Sequence, residues 1–215
     1  GKDVGTDKSV TAALTLSGQD VDNYTIAQPI GLKATITKKE LIASVGDYSK
    51  TYGQDNPSFT LDVTGFVNSE TSGTASGYVS PVASSTATNT TGAGNATIAI
   101  SGGTADNYTF DTSDTGTLTI TEKELTVTGA SAEDKTYDGT THATITGASL
   151  SGIINEDAVN IDNAIGDFDG KDVGTDKSVT AALTLFGQDA DNYTITQPTA
   201  LKAAITEKEL TVTGA

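Results

Sequence analysis

Asp167, Asp169, Asp172 and Asp176 lie within one ten-residue stretch, 167–176, together with Gly170 and Gly174. Hard cations such as Ca²⁺ need several oxygen ligands at once, and closely spaced aspartates on a glycine-containing turn can supply them. The stretch is therefore a calcium candidate. It lacks the glutamate that closes an EF-hand loop, and Lys171 and Lys177 sit among the acids. A solvated hairpin turn of mixed charge is the competing reading. The single histidine, His142, lies in an alternating Thr-His-Ala run and is expected to face solvent. With one His and no Cys, neither a Ser/His/Asp triad nor a Cys/His pair can recur along the chain, and a thiolate metal site is impossible. Acids for a glycosidase pair abound, but the glutamates concentrate in connecting segments rather than around a cleft. No catalytic or cofactor-binding residue is assigned, and enzyme activity is not expected.

A covalent possibility rests on Lys50 and Lys135, each followed by Thr-Tyr, and on Asn107 and Asn192, later in the same repeat units defined below. A Lys–Asn or Lys–Asp isopeptide bond would offset the absence of disulfides, provided a carboxylic acid lies beside the pair in an apolar pocket. Asn-X-Thr sequons occur at Asn23, Asn89, Asn95, Asn107 and Asn192. Those within Asn-Tyr-Thr are read as a structural motif rather than as glycan sites. Weak sugar binding by exposed Ser and Thr faces would lack aromatic platforms, because the cores need most of the seven Tyr and five Phe.

The elements that would position these groups repeat. Ile-Thr-Glu-Lys-Glu-Leu occurs at 120–125 and 205–210, with Ile-Thr-Lys-Lys-Glu-Leu at 36–41, so Leu41, Leu125 and Leu210 mark steps of 84 and 85 residues. Asp-Asn-Tyr-Thr keeps the same beat and places Tyr24, Tyr108 and Tyr193. Residues 1–41 match 170–210 at 34 of 41 positions, whereas 42–125 matches its neighbours only at the short markers. Two unit types therefore alternate. The expected division is 1–41, the later part of a first-type unit; 42–125, a second-type unit; 126–210, a complete first-type unit; and 211–215, the opening strand of the next. The natural protein is expected to be much longer.

Within the units, apolar runs alternate. Val179, Ala181, Leu183 and Leu185 share one face, as do Ala143 and Ile145, and Ala96, Ile98 and Ile100. Period two with β-branched residues predicts half-buried strands, and Gly, Asn and Asp clusters such as Gly102-Gly103 and Asp138-Gly139 divide them. No stretch has helical periodicity. The expected fold is all-β: tandem immunoglobulin-like β-sandwich domains in an elongated rod, with β-grasp-like repeats as the alternative. Asp20 and Tyr24, like Asp189 and Tyr193, are four apart before a strand. That spacing fits a tyrosine corner, in which the hydroxyl bonds back to the preceding turn, and it also fits a plain core aromatic. Across each hexapeptide the inward parity changes: Leu118 and Ile120, then Leu125 and Val127; Leu201, Ala203 and Ile205, then Leu210 and Val212; Leu32, Ala34 and Ile36, then Leu41. A parity change moves a continuous strand from one core to another, so the last strand of one unit is expected to run straight into the next.

Twenty-eight acids against twelve lysines give a formal charge of −16. This excludes a nucleic-acid backbone or an anionic membrane as partner, and no apolar run approaches the length needed to span a bilayer. The expected partners are neighbouring repeats of the same chain and, in a fibre, other copies.

Lys135-Thr-Tyr-Asp-Gly139, Phe168, Lys171-Asp-Val-Gly-Thr175, Lys177-Ser-Val-Thr180 and Asp191-Asn-Tyr193 resemble the YDG repeat. Lys50-Thr-Tyr-Gly53, Pro57-Ser-Phe59, Thr64-Gly-Phe66 and Gly116-Thr-Leu-Thr-Ile120 resemble the MBG repeat. The resemblance implies a place in large secreted or surface-attached bacterial proteins, including adhesins similar to filamentous haemagglutinin, and an extracellular, structural or adhesive role. It implies no catalytic residues. The expected function is a stalk that projects a functional tip, with a self-assembling filament subunit or a weak glycan-binding module as the alternative.

Overall fold

A computed structural model describes residues 1–162 and 164–214. The alternating runs form strands, and the described residues contain no α-helix. The first segment carries β1 (Gly5–Ser9) and β2 (Lys33–Ile36). Next come β3 (Lys39–Val45), β4 (Tyr48–Thr51), β5 (Leu61–Thr64), β6 (Val79–Ser85), β7 (Gly94–Thr104), β8 (Tyr108–Asp111) and β9 (Thr115–Thr121). The last repeat has β10 (Lys123–Thr128), β11 (Ser131–Ala132), β12 (Lys135–Thr136), β13 (His142–Thr146), β14 (Ser149–Ser151) and β15 (Asn160–Asp162). It ends with β16 (Ile165–Phe168), β17 (Gly174–Ala181), β18 (Thr184–Phe186), β19 (Tyr193–Thr196) and β20 (Leu201–Thr206).

The two complete repeats share a pairing scheme. Their opening strands each lie between an antiparallel and a parallel partner: β3 between β5 and β8, and β10 between β14 and β19. In each, the following short strand pairs in parallel with the last long strand, β4 with β9 and β12 with β20. The parallel registers set Lys39 against Tyr108 and Lys123 against Tyr193. The Asp-Asn-Tyr motif therefore starts its strand beside the hexapeptide that leads into its own repeat.

Contacts divide the chain into two compact units, and the divisions fall inside the 42–125 repeat rather than at the hexapeptides. One unit is 1–46, 59–85 and 97–116; the other is 47–58, 86–96 and the described residues from 117 on. The first packs Leu41, Ala75, Ala105 and Tyr108, with Val63, Phe66, Tyr78 and Phe110 around them. The second centres on Ala143, Ile145, Phe168, Val179, Ala181, Leu201, Ala203 and Ile205, from four neighbouring strands in the order β13-β16-β17-β20, together with Leu183 just after β17.

The hexapeptide at 120–125 behaves as its parity requires. Only Glu122 separates β9 from β10; Leu118 and Ile120 are buried before it, Leu125 is buried after it, and Val127 is half-buried. The other two copies depart from the expectation, each on one side. Leu41, Ala43 and Val45 are buried while Leu32 and Ala34 are exposed; Leu201, Ala203 and Ile205 are buried while Leu210 and Val212 are 87% and 94% exposed. Residues 211–214 form no strand, because no described strand lies beside them to accept their hydrogen bonds or cover their side chains. Ala215, the end of that expected strand, lies outside the described residues.

Candidate functional site at the repeat junctions

The chemistry that repeats is a three-part constellation of tyrosine, acidic turn and asparagine. Val67–Glu70 and Ile154–Asp157 are tight turns closed by Glu70 N–H to Val67 O and Asp157 N–H to Ile154 O, both 3.0 Å. Their central residues all have positive φ: Asn68 55°, Ser69 59°, Asn155 55° and Glu156 56°. Two consecutive left-handed residues define a type I′ turn, and asparagine tolerates that conformation best among side-chain-bearing residues. The turn points one N–H and one carboxylate at a tyrosine. Tyr108 Oη accepts from Val67 N–H at 3.3 Å and donates to Glu70 Oε2 at 2.7 Å. Tyr193 Oη accepts from Ile154 N–H at 3.2 Å and donates to Asp157 Oδ2 at 2.5 Å. Both rings are buried. Burial raises each phenol above its ordinary pKa, and the adjacent carboxylate adds to the effect.

The preceding repeat completes each constellation. At the first junction the Lys2 ammonium pairs with Glu70. That contact, followed by the Tyr108 hydroxyl, holds the Glu70 carboxyl below the usual range, and Glu70 raises Lys2. At the second junction the Tyr52 hydroxyl donates to Asp157 Oδ2 at 2.9 Å, and its ring meets Tyr193 edge to face at 5.4 Å between centroids. The motif asparagine pins the same boundary. Asn107 Oδ1 accepts from Val4 N–H at 2.9 Å while its Nδ2 donates to Asp3 Oδ1 at 3.0 Å. Asn192 Oδ1 accepts from Ala93 N–H at 2.8 Å. A Cβ on Gly53 (φ +88°) would stand 2.1 Å from Ile154 Cδ1, and one on Gly92 would stand 2.8 Å from Asn192 Oδ1. At Gly53 the positive φ itself disfavours a side chain, and at Gly92 an added Cβ would have to displace the Asn192 amide.

Other sequence-predicted residues go elsewhere. The four candidate calcium ligands disperse. Asp167 accepts from Thr141 Oγ1 at 2.9 Å and faces His142 Nδ1 at 3.5 Å. Asp169 pairs with Lys177 at 2.9 Å, which holds its carboxyl low. Asp172 is largely solvated 3.5 Å from Lys171. Asp176, φ 54°, sits at the register shift of β17 between Gly174 and Lys177, as Asp7, φ 52°, does in β1. The bulge explains Asp176: aspartate accepts left-handed backbone more readily than most residues. Among the described residues no group of three or more His, Asp or Glu is placed to hold a metal ion.

The isopeptide geometry is corrected. Lys50 is buried and donates to Gln54 O at 3.0 Å and Thr88 O at 2.7 Å; burial lowers its pKa. Lys135 holds Asp138 Oδ1 at 3.0 Å and Thr140 O at 2.9 Å. Both lysines thus brace loops through carbonyl oxygens, while Asn107 and Asn192 serve the junctions. The tyrosine corner is corrected too: Tyr193 reaches a turn 36–39 residues upstream, and Asp189 instead accepts from Ala158 N–H at 2.9 Å. Tyr24, the third tyrosine of the motif, is 70% exposed and makes no such contact with an acidic turn among the described residues. His142 is solvent-facing, its side chain 84% exposed. The acidic turns were missed at the sequence level, though a signal existed: Val67-Asn-Ser-Glu70 and Ile154-Asn-Glu-Asp157 share an apolar-Asn-polar-acid pattern.

The fold and the duplicated constellation define an all-β repeat protein. Two family models identify the repeats: residues 41–119 match the MBG domain of the YGX type, and residues 121–200 match the YDG domain. No curated protein and no solved structure matches the chain significantly.

Proposed function

We propose that this chain is a spacer segment of an extracellular bacterial surface protein, its repeats joined as immunoglobulin-like sandwiches into a stiff stalk that carries a functional tip. The observation that carries the reading is the recurrence of one junction chemistry between unlike neighbours: Asn107, Tyr108 and Glu70 at one boundary, and Asn192, Tyr193 and Asp157 at the next. Polar pins at both boundaries, together with a connection one residue long between β9 and β10, restrict hinge motion where a flexible array would place a Gly- or Pro-rich linker. YDG and MBG domains occur in surface proteins, and the charge of −16 suits an extended molecule that repels its own copies. Small-angle scattering of a multi-repeat array tests the reading. A rod profile is expected, and a flexible-chain profile overturns it.

A further inference from the structure

Lys2-Asp3-Val4-Gly5, which packs against the 42–125 repeat, is repeated as Lys171-Asp172-Val173-Gly174. In the first copy, Lys2 meets Glu70, and Asn107 bridges the Asp3 carboxylate and the Val4 peptide. The two sides leave a cavity of about 170 Å³ between Val4 and Ile36 on one side and Val67 and Tyr108 on the other. In the second copy the corresponding residues border an open depression of about 470 Å³ lined by Tyr137, Asp172, Val173, Glu207, Lys208 and Leu210. Val173 is 48% exposed where Val4 is half-buried, and Leu210 is 87% exposed where Leu41 is fully buried. Lys171, without a glutamate, lies over the Tyr137 ring with Nζ 5.7 Å from its centroid and 3.4 Å from its hydroxyl.

We propose that this face is a docking site for a module of the 42–125 type. Resting on the junction reading above, it names the partner of this exposed face. The incoming turn sets its glutamate over Lys171, and the Tyr137 hydroxyl is a second donor in reach. That hydroxyl is the counterpart of Tyr52, which donates to Asp157 at the other junction. The incoming asparagine takes the Asp172 carboxylate and the Val173 peptide, as Asn107 takes Asp3 and Val4. Leu210 becomes the first core residue of the module's opening strand, as Leu41 is. One contact is not reproduced: Lys38 donates to Ala105 O at 2.8 Å, and Glu207 stands at the equivalent position. Both repeat types carry the apolar-Asn-polar-acid turn and Asp-Asn-Tyr; the 42–125 type is singled out by the glutamate that ends its turn where the 126–210 repeat has Asp157, and by the Lys2–Glu70 pair that this glutamate already makes with the duplicate of Lys171.

The test lengthens the full chain by joining a second copy of residues 42–125 directly after Leu210, and follows backbone hydrogen exchange residue by residue. The Val173 amide is expected to slow by at least about tenfold on lengthening, toward the rate of Val4 in the same molecule. Asn107→Ala in the added copy should restore fast exchange. Val173 exchange unchanged while Val4 stays protected overturns the docking proposal alone, and an added copy that stays unprotected beside a folded first copy does the same. An unprotected Val4 overturns the junction reading itself.

Discussion

Tyr52 and Tyr193, from adjacent repeats, stand edge to face and donate their hydroxyls to the same oxygen, Asp157 Oδ2, at 2.9 and 2.5 Å. Asp157 closes a turn with its backbone N–H, while its carboxylate anchors the tyrosine of its own repeat and holds the tyrosine of the repeat before it. Removing the acceptor strands two donors in a largely buried site, whereas removing one donor leaves the other bond intact. Asp157→Ala is expected to cost about 2–3 kcal/mol and Tyr52→Phe about 1 kcal/mol. Urea denaturation measures both, and the double variant should cost clearly less than the sum of the two, because the shared bond is lost once.

The same cluster sets an alkaline limit. Burial, then Asp157, raises the Tyr52 and Tyr193 phenols above their ordinary value. A folded-state pKa raised above the unfolded one contributes stability that is complete below the unfolded value, about 10 for tyrosine, and is lost as pH rises through the folded values. The melting midpoint should therefore fall above about pH 10. Tyr52→Phe should flatten that fall, which circular-dichroism melts between pH 8 and 12 will show. The opposite sign holds for Glu70 and Asp138, whose carboxyls lie below their ordinary range: Glu70 through Lys2, and Asp138 through the Thr140 N–H and then Lys135. Their contribution is present at neutral pH and disappears as pH falls below about 4.

Period-two alternation placed the strands and most of the buried set, Ile98, Ile145, Val179, Leu183 and Ile205 among them, because one covered face leaves a direct imprint on residue type. The parity change at 120–125 was legible for the same reason. The partner of each tyrosine was not. The Tyr193 hydroxyl spans 36 residues to Asp157, and only the pairing of β19 beside β10 decides which turn it meets. The dense aspartates at 167–176 misled in the other direction. Asp167 and Asp169, two apart, share the exposed side, but each is taken by its own neighbour: Asp167 by Thr141 and His142 on β13, and Asp169 by Lys177 on β17.

That dispersal gives a metal prediction. Asp169 is engaged by Lys177, Asp167 by Thr141, and Asp176 serves the bulge. Thermal melts in millimolar Ca²⁺ and in chelator should give the same midpoint. A calcium-dependent rise abolished by Asp169→Asn would show that the carboxylates regroup around a cation.

Gly53 tests how tightly the second junction is built. Its φ of +88° lies in the region that side chains avoid, and an added Cβ would fall 2.1 Å from Ile154 Cδ1. Gly53→Ala is expected to destabilise by more than about 1 kcal/mol, because backbone strain adds to the clash. The paired substitution Gly53→Ala with Ile154→Val removes that δ-carbon and should recover the steric part only. Comparing the two melts separates the backbone cost from the packing cost.

Asn192 and Asn107 carry the sharpest test of coupling between repeats. Each accepts from a peptide N–H of the preceding repeat, Ala93 at 2.8 Å and Val4 at 2.9 Å, and neither side chain belongs to a hydrophobic core. Asn192→Ala therefore removes a boundary contact and leaves the interior packing of both repeats in place, at a cost of about 1–2 kcal/mol for the orphaned donor. If the repeats melt as one cooperative system, the unfolding transition should broaden or split in the variant, with a smaller m-value for each step, since nearest-neighbour coupling is what fuses the transitions of a repeat array. A single transition of undiminished m-value, merely shifted in midpoint, would mean that the asparagine stabilises its own loop without linking the repeats.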